Sequence, residues 1–367
     1  MTVTADNFTS IPVLGYALLS SPATRPVFIA QLQHALINVG FLYLERMPIP
    51  DALFDDVIAY LPRVFGLPQE RKDALRMANS PHFLGYSRLG AEMTKGAVDQ
   101  REQFDIATPL ESAWKPGKPD YVRLWGPSQW PEEDDVPGFK ATFTRYLGAV
   151  ESLSYEFAGL VAEALGLPPD GLARFYDAPE RMQHRSKIVK YPTRDQVASG
   201  QGVGPHFDGG FLTFLLQASD HPGLQVQNLS GEWIDVPPRP YTFVINIGKA
   251  LEMVTQGLAR ATSHRVLAPA AGTSPRYSIP FFQNIAQGLR LSEHVLQLPP
   301  EVLKLKGHRG ELGQTDSLNM AEYDSLPSGQ VSLINRVKSH PDVAERHYPQ
   351  LFKLFFPDGL PAYGTAY

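Results

Sequence analysis

From Arg181 onward the sequence breaks into short β-rich runs separated by Gly and Pro: SKIVKY, FLTFLLQA, GLQVQN, EWIDV, YTFVINI, SHRVLA and RYSIPFF. Seven runs at this spacing predict an all-β barrel or sandwich. After about Gln283 the pattern mixes loops and helices and ends on an aromatic helical stretch, YPQLFKLFF. With 367 residues, 43% of them hydrophobic, the chain has enough apolar surface for a sizeable core. A β-barrel with added helices runs to this length as one unit.

The first half carries helical patterning. Phe28, Leu32, Ala35, Leu36 and Val39 recur at helical spacing and stop at Gly40, and FLYL, Phe41 to Leu44, follows as a short buried strand. Helices are predicted over 52–64 and 68–76. From Trp114 to Gly138 the chain is rich in Pro, Gly and Trp and reads as a long irregular connection. A long helix follows, with Phe139, Phe143, Leu147, Val150, Leu153, Phe157, Leu160 and Ala164 on one face, ending near Gly166. A helix of that length supports a neighbouring layer. The expected organisation is therefore an N-terminal helical and mixed region (1–135), a supporting helix (136–180), a β core (181–290) and a C-terminal loop and helix region (291–367), all in one catalytic unit.

Composition narrows the chemistry. A net charge of −5 without a basic stripe argues against a nucleic-acid partner. The chain has no cysteine, so disulfides, thiolate metal sites, iron–sulfur clusters and cysteine nucleophiles are excluded. Any metal must use His, Asp, Glu or backbone oxygen. No apolar run approaches the roughly 20 residues that span a bilayer, and MTVTADNFTS has no secretory pattern. The expectation is a soluble cytoplasmic protein acting on a small molecule, without a membrane partner and of undetermined oligomeric state.

The motif that carries chemistry is GPHFDGG, Gly204 to Gly210. On a strand, residues two apart project to one face, so His206 and Asp208 point together. His264, in TSHRVLAP, offers a third ligand. Two histidines and one carboxylate form the facial triad of non-haem Fe(II) oxygenases, with the other metal face open to an oxidant and a chelating substrate. Arg276 and Ser278, two apart in RYSIPFF, present a bidentate cation and a hydroxyl to one carboxylate. Triad and clamp together suit a dicarboxylate, one end at the metal and the other at Arg276. A second copy of the pattern, His340-Pro341-Asp342, reads instead as a helix start capped from Ser339. Gly200 to Gly204, GQGVG, reads as a flexible loop at the barrel mouth, and Lys187 and Lys190 as a solvated face. Phe214, Leu216, Phe281 and Phe282 read as apolar wall or ordinary core.

With these residues in place, the chain resembles the isopenicillin N synthase-like family of Fe(II)/2-oxoglutarate-dependent dioxygenases over nearly its whole length. IPVLGY, VGFLYLERMPIP and VFGLPQERK are similar to that family's N-terminal region, and GYSRLGAEMT and LWGPSQWPE to its middle motifs. KYPTRDQ, HFDGGFLTFLLQ, PGLQVQN, EWIDVPP, FVINIG, TSHRVLAP and RYSIPFF follow its core in order, and RVKSHPDVAERHYPQLF fits a closing C-terminal helix. The resemblance implies a double-stranded β-helix (jelly-roll) core flanked by N- and C-terminal helices. It implies Fe(II) on His206, Asp208 and His264, 2-oxoglutarate on Arg276 and Ser278 with Tyr191 adding a hydroxyl, and O₂ as oxidant. The implied reaction is hydroxylation or desaturation of a small organic molecule, such as a secondary metabolite or a nucleobase-like compound, with succinate and CO₂ released. Phe83, Tyr86, Arg88, Phe104, Phe214, Phe281 and residues near Leu351 are the expected substrate contacts. The chain departs from the pattern at Val189, where many members have Asn, and at Lys249, where many have Asp; Lys249 reads as a local surface charge. The alternatives are an iron oxidase that does not use 2-oxoglutarate, of the isopenicillin N synthase type, an ethylene-forming variant, and a metal-free binding module.

Overall fold

A computed structural model describes residues 7–94, 97–197, 199–307 and 325–360. Its strands are β1 (Val13–Gly15), β2 (Phe41–Glu45), β3 (Gly85–Ser87), β4 (Met93–Thr94), β5 (Ala97–Val98), β6 (Glu102–Ala107), β7 (Arg185–Tyr191), β8 (Gln201–His206), β9 (Leu212–Gln217), β10 (Leu224–Gln227), β11 (Trp233–Asp235), β12 (Thr242–Ile247), β13 (His264–Leu267) and β14 (Arg276–Phe282). The helices are α1 (Arg25–His34), α2 (Asp51–Phe65), α3 (Gln69–Ala74), α4 (Phe139–Ala164), α5 (Lys249–Val254), α6 (Pro300–Leu303), α7 (Ser328–Ser339), α8 (Pro341–His347) and α9 (Pro349–Phe355).

Two sheets face each other as a jelly roll. The larger has the order β1-β2-β12-β9-β14-β7-β6-β3 and the smaller β11-β10-β13-β8. Strands from the first third of the chain thus extend the same sheet that the β-rich second half builds. Alternation along each strand divides the residues between two cores. Phe214, Leu216, Phe243, Ile245, Ile279 and Phe281 turn outward and pack under the α4 residues Phe157, Leu160 and Val161. Val189, Tyr191, Val203, Leu224, Val226, Val244 and Val266 turn inward and fill part of the space between the sheets. The remaining inward positions line a cavity. α4 is the supporting layer that its apolar stripe predicts, since its buried face runs from Phe139 to Ala164.

The turn at Gly40 also follows from sterics. Its φ is 77°, and a Cβ there would lie 2.3 Å from the Arg260 carbonyl oxygen, so only glycine fits between the end of the first helical stretch and β2.

Several expectations are corrected. Gln201 to Gly204 belongs to β8, not to a loop; its backbone pairs with β13. The run has no alternating apolar side chains, so the ladder rather than side-chain burial defines the strand. Lys187 is buried against Glu92 at 3.4 Å, and Lys190 pairs with Glu102 at 3.2 Å, so neither lies on a solvated face. α8 does begin at His340-Pro341-Asp342, but the residue before its first turn is His340. Ser339 closes α7 and its hydroxyl donates back to the Asn335 carbonyl at 3.0 Å.

Candidate active site

The inward face of the smaller sheet brings His206 and His264 side by side. They are paired across β8 and β13, with ring centroids 4.2 Å apart. Val203 also faces inward, although it is an odd number of residues from His206. The register slip between His264 and Val266 absorbs the extra β8 residue as a bulge, and so turns both side chains to the interior. Asp208 lies just past the strand end, where its backbone carbonyl accepts the Lys249 N–H at 2.8 Å. Gly248 allows that approach, because a Cβ there would lie 2.1 Å from the Gly210 carbonyl oxygen.

The three side chains present free donor atoms to one point, all within 4.8 Å of one another. The His206 Nδ1 lies 2.8 Å from the Gly204 carbonyl and the His264 Nδ1 3.2 Å from the Thr262 carbonyl. A carbonyl only accepts, so each Nδ1 carries the proton and each Nε2 keeps its lone pair. Both Nε2 atoms face Asp208 Oδ1, at 3.9 and 3.8 Å. The other carboxylate oxygen, Oδ2, accepts from Thr213 Oγ1 at 2.5 Å and from Asn246 Nδ2 at 2.7 Å. Those bonds fix the carboxylate plane and leave Oδ1 free. Burial, reinforced by His264, pushes His206 down to about 3, so the imidazole is neutral at neutral pH. Burial alone would raise Asp208; the two imidazoles and the bonds from Asn246 and Thr213 outweigh it and hold the carboxyl below its ordinary value. A neutral His206 beside an ionised Asp208 is the protonation state that a divalent metal requires of such ligands.

The triad opens on a cavity of about 430 Å³ between the sheets. Tyr191, Arg276 and Ser278 line its deep end together, Arg276 opposite Tyr191 in the β14–β7 ladder. Arg276 has no solvent exposure. Its Nη2 donates to Gln217 Oε1 at 2.9 Å, its guanidinium carbon lies 5.1 Å from the Tyr191 ring centre, and its Nε and Nη1 have no hydrogen-bond partner among the described residues. A buried guanidinium without a carboxylate is costly unless a ligand supplies one. The deep end therefore fits a carboxylate, and the triad a metal.

Models of two families match the chain: the non-haem dioxygenase N-terminal domain, described from morphine synthesis, over residues 11–133, and the 2OG-Fe(II) oxygenase superfamily domain over residues 180–285. A 2-oxoglutarate-dependent dioxygenase, frbJ of Dothideomycetidae sp. (strain 11243), is 43% identical over 94% of this chain and 94% of its own length. The chain is a 2-oxoglutarate-dependent dioxygenase. A second dioxygenase of that name, from Gibberella zeae, is 36% identical over 95% of this chain and 94% of its own length. A homoarginine-6-hydroxylase of Glycine max is 33% identical over 72% of this chain and 82% of its own. Among solved structures, a full-length Neurospora crassa protein in complex with alpha-KG and thymine superposes with a TM-score of 0.65 at 26% identity, covering 78% of this chain and 89% of that one. Like its family, the dioxygenase uses Fe(II), 2-oxoglutarate and O₂.

The substrate contacts expected from the sequence are placed elsewhere, since none of Phe83, Tyr86, Arg88, Phe104, Phe214, Phe281 or Leu351 lines the dioxygenase cavity. Parity explains Phe214 and Phe281. Arg276 and Ser278 face inward, so Phe281 faces α4 and Phe282 faces the cavity; Thr213 likewise faces in and Phe214 out. Phe104 shares that outward face, and the Tyr86 hydroxyl is spent on Glu102 at 2.7 Å. Phe83 stacks on Tyr348 at 5.5 Å. Arg88 makes a two-pronged surface pair with Asp73, at 2.5 and 2.9 Å. Lys249 is not a surface charge: it pairs with Glu252 at 2.6 Å and lies 4.4 Å over the Phe207 ring, bracing the turn that carries Asp208.

The cavity is lined instead by Phe207, Phe282, Asn284, Ile285, Leu124 and Trp125, by the α7 face of Val331, Ser332, Asn335 and Arg336, and by Arg101, Arg185 and Lys187. The inward cations were legible only in part. Arg185 and Lys187 share the parity of Tyr191 on β7, a signal present in RSKIVKY. Arg336 carried no such signal, since only tertiary packing brings α7 to the mouth.

Proposed function

We propose that His206, Asp208 and His264 hold the Fe(II), that Arg276, Ser278 and Tyr191 hold the distal carboxylate of 2-oxoglutarate, and that the enzyme hydroxylates or desaturates a small organic molecule. The convergence of three unprotonated donor atoms, each fixed by a hydrogen bond on its other side, carries this reading. Iron, 2-oxoglutarate and O₂ supply the oxidising power that breaks the substrate C–H bond, with succinate and CO₂ released. The chain supplies position. The Gly204 and Thr262 carbonyls orient the imidazoles, and Thr213 and Asn246 hold Asp208 with one oxygen outward. Arg276 offers its free Nε and Nη1 to a carboxylate. Phe207, Phe282, Ile285 and Trp125 form a wall that excludes water from the reacting end.

The names of the relatives span homoarginine and thymine, so what they support in common is the reaction type and not the substrate. Within this reading the enzyme is cytoplasmic, with neither nucleic acid nor membrane as partner. The net charge of −5 supports the first absence. For the second, no helix among the described residues is long and apolar enough to cross a membrane. The test is an anaerobic titration of metal-free protein with Fe(II) and then 2-oxoglutarate. A visible charge-transfer band of the chelated 2-oxo acid is expected, and Asp208→Ala should abolish it. Iron binding without the band would sink the cosubstrate assignment, and no iron binding would sink the triad.

A further inference from the structure

Among the described residues, the cavity carries more positive charge than its neighbours neutralise. Four cations line it, Arg185, Lys187 and Arg336 toward α7 and Arg101 beside Tyr191: together they form one charge cluster. Three carboxylates meet them. Arg101 bonds Glu92 and lies 3.3 Å from Asp99, Lys187 lies 3.4 Å from Glu92, and Arg185 and Arg336 share Asp105 Oδ1 at 3.7 and 3.6 Å. Glu92 is further occupied by His340 Nε2 at 2.8 Å. Among the described residues one cation is therefore in surplus, and two of these pairings are loose. Asp105 Oδ1 has no hydrogen-bond partner, and the Arg336 contact exceeds hydrogen-bond length.

The cosubstrate does not consume that surplus. The two charges of ferrous iron and the one of Arg276 already balance Asp208 and the two carboxylates of 2-oxoglutarate. The positions also differ. Arg276 pairs with Tyr191 at one end of β7, whereas Arg185 pairs with Phe282 at the other. Six residues of strand separate them, about 20 Å. Of the four cations Arg336 is the least committed. Arg185 gives its Nη2 to the His82 carbonyl at 2.6 Å and its Nη1 to the Phe83 carbonyl. Among the described residues Arg336 makes only its long contact with Asp105; its side chain is 23% exposed, and it shares the cavity-facing side of α7 with Ser332 and Asn335.

We propose that the primary substrate carries a carboxylate, held at the cavity mouth by Arg336 with Lys187 behind it, so that its oxidised carbon lies between that anchor and the iron. This inference rests on the proposed function, because it takes the deep end as the cosubstrate's. A guanidinium with free N–H groups suits the planar, two-oxygen carboxylate, and a second cation nearby strengthens the field.

The test uses the full chain loaded anaerobically with Fe(II) and 2-oxoglutarate. The probes are 4-phenylbutyrate, decanoate and the twenty L-amino acids, each beside its primary amide. The readouts are perturbation of the charge-transfer band and, in air, stimulation of succinate release. At least one acid should perturb the band and outbind its amide by at least about tenfold, the loss expected when one member of a partly buried charge pair is removed. Arg336→Gln should weaken that acid by a similar factor and leave the affinity for 2-oxoglutarate unchanged, while Arg336→Lys should recover part of the loss. The proposal is overturned if amides bind as well as acids, if no acid perturbs the band, or if Arg336→Gln leaves acid binding intact. It is also overturned if Arg336→Gln weakens 2-oxoglutarate itself, for then Arg336 serves the cosubstrate. A band that never forms in the parent protein instead removes the proposed function, and this outcome is distinguishable because it precedes any acid.

Discussion

The chain contains the same tripeptide pattern twice, and the two copies have opposite fates. His206-Phe207-Asp208 ends a strand; His340-Pro341-Asp342 begins a helix. Both histidines are substantially buried. In the first copy the backbone takes each ring's Nδ1 side and polar side chains take one carboxylate oxygen, so the remaining atoms face one another with nothing between them. In the second, His340 commits Nε2 to Glu92 at 2.8 Å and has Nδ1 2.9 Å from the Ser339 hydroxyl. Asp342 points to the surface, 3.4 Å from Arg76, and accepts its neighbour Val343 N–H at 2.9 Å. A pattern becomes a metal site when its partners satisfy the wrong-facing atoms and leave the right-facing ones free.

The largest test of this contrast substitutes the two carboxylates. Asp208→Ala should reduce iron binding and turnover to background, because Oδ1 is the only anionic donor of the triad. Asp342→Ala should leave both within about twofold, an exposed pair contributing little. Equal losses in metal analysis and succinate assays would mean that the pattern and not its surroundings matters.

Next comes Asn246→Leu, which removes a bond to Asp208 while keeping all three ligands. Iron affinity should fall about 10–100-fold, the usual effect of losing a partner that orients a ligand. Competition with a chelator would read it, and unchanged affinity would show that Thr213 alone orients the carboxylate.

Arg276→Lys should raise the apparent KM for 2-oxoglutarate by about tenfold or more, since an ammonium cannot make the two-pronged contact. Iron binding in the absence of 2-oxoglutarate should be unaffected. An unchanged KM would place the dicarboxylate elsewhere.

The smallest effect compares His206 with another buried histidine. Burial also pushes His184 down to about 3, but both its ring atoms are used. Its Nδ1 accepts the Asn284 N–H at 3.0 Å, and its Nε2 lies 2.8 Å from the Tyr155 hydroxyl. A depressed folded-state value contributes stability that is complete above the unfolded value, near 6.5, and is lost as pH falls toward about 3. The loss is at most about 1.4 kcal/mol per pH unit. Glu151, 3.6 Å from His184 and pushed up to about 6 by burial, takes up a proton in the folded state and offsets part of this until roughly pH 4.3. Urea unfolding of metal-free protein across this range should show a steeper acid loss for the parent than for His184→Gln. Identical slopes would mean that His184 contributes nothing to the acid loss.

Much of this architecture was written in local pattern. The seven β-rich runs, the α4 stripe and the short strand after Gly40 all follow from periodicity and turn chemistry. His206 and Asp208 sit two apart among glycines and Arg276 and Ser278 two apart on β14, so each pair is legible locally, whereas His264 meets His206 only through the β8–β13 pairing. What escaped has physical reasons. β8 has too few side chains to show a period, and its bulge breaks the period that remains. Phe214 and Phe281 were misplaced because aromatic character was weighed above parity. Lys187 and Lys190 sit three apart in one strand, so one faces the cavity and the other α2; charge alone does not distinguish them. Arg101, Arg185 and Arg336 come from three distant segments, and only the closed fold makes them neighbours.

The position of Arg276 also has a kinetic consequence. It lies fully enclosed, whereas Arg336 on the α7 side of the same cavity is partly exposed. With 2-oxoglutarate at Arg276, as proposed, the cosubstrate would enter first and, as succinate, leave last, behind whatever occupies the α7 end. The expected kinetics are then ordered, with succinate competing against 2-oxoglutarate and not against the oxidised substrate. A primary product that dissociates slowly would act as a stopper, setting the rate of the whole cycle from a place that touches neither iron nor cosubstrate.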